Sequence, residues 1–220
     1  MPPSGRSCLL GWRIMPGLAL AVLLWSAAFL TGCGKSPALI NRYVFDYPAP
    51  AVPAASPLPV ALKMGQFAVA QAFNSTAMIY QEKPQKSDSY QYNRWRVNPG
   101  YLVTDYLSRD FRQARLFSAV FAPGSPEPAR FRLEGGVEEI QEVDEPTGWQ
   151  ASLTLTVTLL DLQAEDSDRQ VVFQKTYRAR EPLAQKTPPG LAAAMSQAMA
   201  RLSQEILAEV YQAARKRLER

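Results

Sequence analysis

The sequence predicts an α+β fold: a two-layer sandwich in which a twisted, mostly antiparallel sheet carries two helices on one face. Three observations predict it. Residues Trp149 to Leu162 alternate with a period of two. Trp149, Ala151, Leu153, Leu155, Val157 and Leu159 point one way, and Gln150, Ser152, Thr154, Thr156 and Thr158 point the other, as in a half-buried strand. Two other segments repeat at helical spacing: Leu102, Val103, Tyr106, Leu107 and Phe111, and then Leu191, Met195, Met199, Leu202, Ile206 and Val210.

The chain opens on a targeting segment. Arg6 and Arg13 give a positive start, and Met15 to Phe29 is an uncharged apolar run. That run falls short of the roughly 20 apolar residues a membrane span needs and has the length of a signal core. Leu30-Thr31-Gly32-Cys33 follows and resembles the bacterial lipobox. The peptidase needs small residues before the cut, and the Cys33 thiol accepts the diacylglyceryl group. The expected division is a signal peptide over 1–32, a lipidated tether over 33–41 and one α+β domain over 42–220. Acyl chains hold at about 0.8 kcal/mol per buried CH₂, so several anchor the chain durably. Gly34, rather than Asp, follows the Cys. By analogy with enterobacterial sorting this favours the outer membrane, periplasmic face, over the inner membrane.

In the domain, Arg42 to Asp46 reads as a brief strand. Pro48, Pro50, Pro53 and Pro57 mark an extended connection, because each fixes φ and discourages helix. Pro59 to Ala70 reads as one strand, with Val60, Leu62 and Met64 on one face. Ala77 to Glu82 and Ser89 to Trp95 read as a hairpin. Asn98-Pro99 starts a helix reaching about Ala114, with a cap and then Pro at the first position. Leu116 to Phe121 and Arg130 to Val143 read as strands, with a bulge at Gly135-Gly136. Asp161 to Arg169 is a polar turn and Gln170 to Ala179 the return strand. Thr187 caps the last helix, with Pro188 and Pro189 in its first turn.

Composition bounds the function. Hydrophobic residues are 47% and charged residues 20%, which describes a packed domain rather than a disordered one. The net charge is +4, and without Arg6 and Arg13 it falls to about +2, too little to suggest nucleic acid. There is no His, so a Ser-His-Asp triad and His-ligated zinc are excluded. Cys8 leaves with the signal and Cys33 is lipidated, so no disulfide is expected. No cofactor, no metal and no enzymatic activity are expected.

The order of elements resembles the ABC-type transport auxiliary lipoprotein family. The residues that carry the resemblance are the lipobox, the Tyr43-x-Phe45 strand and the Pro-rich stretch. Met78-Ile79-Tyr80 then pairs with Tyr90-Gln91-Tyr92 and leads to Asn93-Arg94-Trp95; the helix, Leu116 to Val120, Phe131 to Gly135 and the Trp149 strand follow. Arg96-Val97-Asn98-Pro99 stands where the family has small and Pro-rich residues. The resemblance implies a non-catalytic part of an MCE-type lipid transport system and a role in envelope integrity. The implied partners are an MCE-domain protein and, through it, a permease and an ATPase. The alternatives are an activator or assembly lipoprotein for cell-wall synthesis, and a carrier that holds acyl chains itself.

Tyr80, Tyr90, Tyr92 and Trp95 are the candidate partner-binding residues, since Tyr and Trp are enriched at interfaces; cross-strand packing is the plainer alternative. Glu138, Glu139, Glu142, Asp144 and Glu145 form an acidic run whose spacing matches no calcium loop. Arg215, Lys216, Arg217 and Arg220 close the last helix, where they suit its dipole or anionic head groups. The Leu191–Val210 stripe covers the sheet or binds a partner, with Met195 and Met199 as gap-fillers. Asp105, Asp110 and Glu134 are the carboxylates a hydrolase would need, and nothing in their spacing demands that chemistry.

Overall fold

Alternation and turn chemistry account for the strands seen in the computed structural model, which describes residues 38–52, 56–165 and 170–219. The signal peptide, Cys33, most of the tether, Pro53, residues 166–169 of the polar turn and Arg220 lie outside the described residues. The chain divides into two units, Met1–Ala38 and Leu39–Arg220. The second contains all the elements described: β1 (Asn41–Tyr43), β2 (Leu58–Met64), β3 (Ala68–Val69), β4 (Ala77–Lys83), β5 (Lys86–Trp95), α1 (Pro99–Ala114), β6 (Phe117–Phe121), β7 (Phe131–Glu145), β8 (Gly148–Asp161), β9 (Val171–Pro182) and α2 (Pro188–Leu218).

The strands form one curled sheet organised by β7. Along one edge β7 runs antiparallel to β8 from Phe131↔Asp161 to Glu145↔Gly148, and β8 runs antiparallel to β9. Along the other edge β7 takes three strands in succession, all parallel: β2, then β3, then β4. β6 extends the sheet beyond β2, and β5 and then β1 extend it beyond β4.

The expectation of a mostly antiparallel sheet is therefore corrected: the sheet is mixed. Antiparallel neighbours joined by a tight turn leave a local signature. Parallel neighbours join through long crossovers and leave none. The expected strand from Pro59 to Ala70 also divides, into β2 and β3. The break falls at Gly65, whose backbone N–H donates to the Leu133 carbonyl at 2.6 Å. The bulge in β7 falls between Val137 and Glu139 rather than at the glycines. Gly135 is needed for another reason: a Cβ there would stand 2.0 Å from the Thr156 carbonyl oxygen and 2.8 Å from the Phe67 ring.

Both helices start as their caps dictate. Asn98 Oδ1 accepts from the Gly100 N–H at 3.0 Å, and Thr187 Oγ1 accepts from the Gly190 N–H at 3.2 Å. Arg115, with φ of 51°, ends α1 in the left-handed region. α1 lies against β3, β6 and β7, α2 lies against β8 and β9, and the helices touch each other. Leu191, Met195, Met199, Leu202, Ile206 and Val210 are each 0% exposed, so this stripe is the lid of the core. Leu62, Phe131, Leu133, Leu153, Leu155 and Val157 are buried in the same core.

The polar face of β8 is less open than its alternation suggests. Ser152, Thr154 and Thr158 are buried, whereas Trp149 is 40% exposed. β8 is flanked on both edges, and its neighbours' polar side chains lie across it. Thr154 Oγ1 donates to Glu139 Oε2 at 3.2 Å, and Gln174 Nε2 donates to Thr158 Oγ1 at 2.9 Å.

Candidate functional site

The β4–β5 hairpin turns at Pro84-Gln85 and carries the candidate aromatic residues. Its register is not uniform. Ala77 pairs with Arg94 and Ile79 with Ser89, so two steps along β4 match five along β5. Three extra residues of the Tyr90–Asn93 stretch are thereby left out of pairing with β4. The expected pairing of Met78-Ile79-Tyr80 with Tyr90-Gln91-Tyr92 is corrected accordingly: Tyr80 pairs with Asp88.

The four aromatic residues separate. Tyr80 and Tyr90 stack obliquely, centroids 5.0 Å apart at 53°. Tyr92 is 44% exposed. Trp95 is 1% exposed and meets Phe45 edge to face at 5.6 Å, so it belongs to the core rather than to a surface. The Tyr90 hydroxyl donates to Glu142 Oε2 at 2.8 Å. Burial, and then the bond to Glu142, holds the Tyr90 phenol well above its ordinary range, so it remains a donor. Burial likewise raises the Glu142 carboxyl, against the lowering pull of that bond.

Tyr80, Glu82, Asp88, Tyr90, Arg94 and Lys186 line an open groove of ≈ 690 Å³. A second groove of ≈ 780 Å³ runs over the ends of the two hairpins, between Lys83-Pro84 and Asp144 to Pro146, and shares Glu82 with the first. Lys186 joins them, paired with Asp144 and lying 5.8 Å from the Trp149 ring centroid. Its bond to Asp144 raises its own pKa above the ordinary lysine value. Arg94 belongs to β5 of the hairpin itself, whereas nothing in the sequence marks Lys186 for this site, because it reaches it from the segment between β9 and α2 by pairing with Asp144.

The acidic run is divided among partners. Glu139 takes Thr154 and Gln141, Glu142 takes Tyr90, Asp144 takes Lys186, and Glu145 takes Arg180 at 2.5 Å. Glu138 lies at the β7 bulge. Among the described residues no three acidic, Cys or His side chains converge as metal ligands.

The imagined carboxylate set does not assemble. Asp105 is exposed on α1, Asp110 is buried on its other side, and Glu134 pairs with Arg132 at 3.1 Å. At the end of α2, Arg215 pairs with Glu219 at 2.9 Å and Arg217 reaches the buried Asp161 at 2.9 Å, while Lys216 is exposed.

Residues 43–207 match the family model described as ABC-type transport auxiliary lipoprotein component. The chain belongs to this family. The match runs from the last residue of β1 through most of α2 and so takes in β2 to β9 and the grooves. A crystal structure from Xanthomonas campestris, assigned to the family DUF330, superposes with a TM-score of 0.74 at 18% identity, over 82% of this chain and 99% of that one. A second, described only as an uncharacterized protein, superposes with a TM-score of 0.58 at 14% identity, over 78% and 99%. At such identities the likeness shows the fold alone. No curated protein matches the chain. The auxiliary lipoprotein is associated with ABC-type transport, and its family places it on a membrane of the cell envelope. Among the described residues no helix is long and apolar enough to cross a membrane.

Proposed function

We propose that this auxiliary lipoprotein is the non-catalytic, outer-membrane component of an MCE-type system that moves lipid between the two envelope membranes. In this reading Cys33 is acylated and holds the chain on the periplasmic face, while the domain grips an MCE-domain protein; permease and ATPase are reached through that partner. The observation that supports it most is the family match across the domain. The packing supports a gripping rather than a carrying role. The apolar stripe of α2 is wholly consumed by the sheet, so it is not open to acyl chains. The first open groove carries Tyr80, Tyr90 and Arg94, residue types enriched at protein interfaces.

Capture of the tagged full-length protein from detergent-solubilised membranes tests this, with Cys33→Ser as control. Recovery of an MCE-domain protein is expected. Recovery of cell-wall synthases instead would transfer the protein to envelope assembly and sink the transport reading.

A further inference from the structure

Of the nine large hydrophobic residues exposed among the described residues, six lie in two short segments: Leu39, Ile40 and Val44, and Tyr92, Val97 and Tyr101. The topology brings these segments together. β1 runs parallel to β5, with Asn41 beside Asn93, Arg42 beside Arg94 and Tyr43 beside Trp95. Side chains alternate across a strand. Asn41, Tyr43, Asn93 and Trp95 therefore share one face, on which Trp95 is buried, Tyr43 and Asn93 are half-buried and Asn41 is exposed; there Asn41 Nδ2 and the Tyr43 hydroxyl donate to Asn93 Oδ1 at 3.2 and 3.1 Å. The opposite face carries Ile40, Arg42 and Val44 on one strand and Tyr92, Arg94 and Arg96 on the other.

This outer face alternates apolar and cationic side chains. Arg42 and Arg96 are exposed and Arg94 is half-buried at the rim of the first groove. None of the three forms an ion pair within the described residues, unlike the arginines at 109, 130, 132, 180, 201, 215 and 217. Ile40 is seven residues from Cys33, and an extended chain covers at most about 3.6 Å per residue. Ile40, at the start of this face, thus lies no farther than about 25 Å from the lipid anchor. Arginines attract an anionic leaflet by about 1 kcal/mol each, and apolar and Tyr side chains beside them enter the interface.

We infer that the outer face of the β1–β5 pair is a membrane-contact surface, taking anionic phospholipid head groups on Arg42, Arg94 and Arg96 and seating Ile40, Val44 and Tyr92 in the interfacial layer. It rests on Cys33 being the anchor. Contact there fixes how the domain stands on the membrane.

Vesicle sedimentation of the mature chain, residues 33–220 with Cys33→Ser, tests it without the lipid. Binding is expected to vesicles containing phosphatidylglycerol, not to phosphatidylcholine alone, and to weaken with salt. R42E/R94E/R96E is expected to bind on the order of 100-fold more weakly. R112E/R115E/K216E makes the same charge change away from this face, with R112 and R115 about 20 Å along α1, and is expected to bind like the parent. The neutral variant R42Q/R94Q/R96Q, checked for an unchanged melting transition, guards against misfolding. Equal loss in both charge-reversed variants, or no binding to phosphatidylglycerol by the parent, overturns the proposal. So does retained vesicle binding with lost partner capture, which would assign the face to a protein. Failure of the anchor reading shows separately, as absence of acyl label on Cys33 in cells.

Discussion

The Tyr47 hydroxyl donates to Asp110 Oδ2 at 2.8 Å, fastening the segment that follows the tether to the middle of α1. Ser203 of α2 donates to the same oxygen at 2.6 Å, and Arg109 meets Oδ1 at 2.8 Å while lying 4.5 Å from the Tyr47 ring centroid. Asp46 N–H donates to Ser196 Oγ at 2.9 Å, and the Tyr106 hydroxyl donates to the Phe45 carbonyl. Any pull on the anchor is thus delivered to both helices. Asp110→Ala would leave the Tyr47 and Ser203 hydroxyls buried, and the Arg109 guanidinium half-buried, without their acceptor. The expected cost is about 3–5 kcal/mol, as for breaking a buried charged network. Tyr47→Phe removes one donor and is expected to cost about 1 kcal/mol. Urea unfolding of the unlipidated protein measures both.

Two buried carboxylates give opposite pH dependences. Glu142 is raised, chiefly by burial. Above its ordinary value of 4.5 the unfolded chain releases this proton first, so the native state loses stability as pH rises through the raised value. Asp161 is lowered. Burial alone would raise it, but the bonds from Arg217, Gln163 and Arg130 together outweigh that. Its contribution is present above 3.8 and lost as pH falls through the lower native value. Relative to the parent, Glu142→Gln should gain stability as pH rises from about 4 to 7, whereas Asp161→Asn should be less stable above about pH 4, a deficit that shrinks as pH falls below it. Matching pH profiles for the two variants would contradict the assignment.

Gly135 is the most demanding backbone position in the sheet. Gly135→Ala puts its Cβ into the Thr156 carbonyl, and is expected to destabilise by about 1–3 kcal/mol or more through overpacking. Gly124→Ala is the comparison: φ there is +76° but nothing lies within 4 Å. Its cost is conformational, about 1 kcal/mol. Thermal melts of the two variants should rank in that order.

The docking surface makes a separate demand. Tyr80→Ala should lower partner capture by at least about tenfold while leaving the melting temperature nearly unchanged, because truncating an interface tyrosine costs more than 1 kcal/mol at a hot spot. Trp95→Ala should instead unfold the domain, since that ring is buried against Phe45. Intact capture by Tyr80→Ala would end the docking role of this hairpin.

What the sequence made legible was local. Asn98-Pro99 and Thr187-Pro188 set both helix starts, because a cap and an N1 proline are written within a few residues. The period-two run before Asp161 located β8. What it hid was nonlocal. No residue near Tyr80 announces that Glu142 stands beside it in a parallel pair, and none near Tyr90 announces the register slip in β5. Trp95 looked like a fourth member of an aromatic surface. Only the pairing of β5 with β1 shows that its parity points inward with Tyr43.

The most direct test of the central claim is photocrosslinking in living cells, with a photoreactive residue at Tyr80 of the full-length lipoprotein and the adduct identified by mass spectrometry. The account predicts an adduct with an MCE-domain protein, lost when the probe is moved to Lys216. An adduct at Tyr80 with a cell-wall synthase, or none while the lipidated protein is present at its normal level, would contradict it.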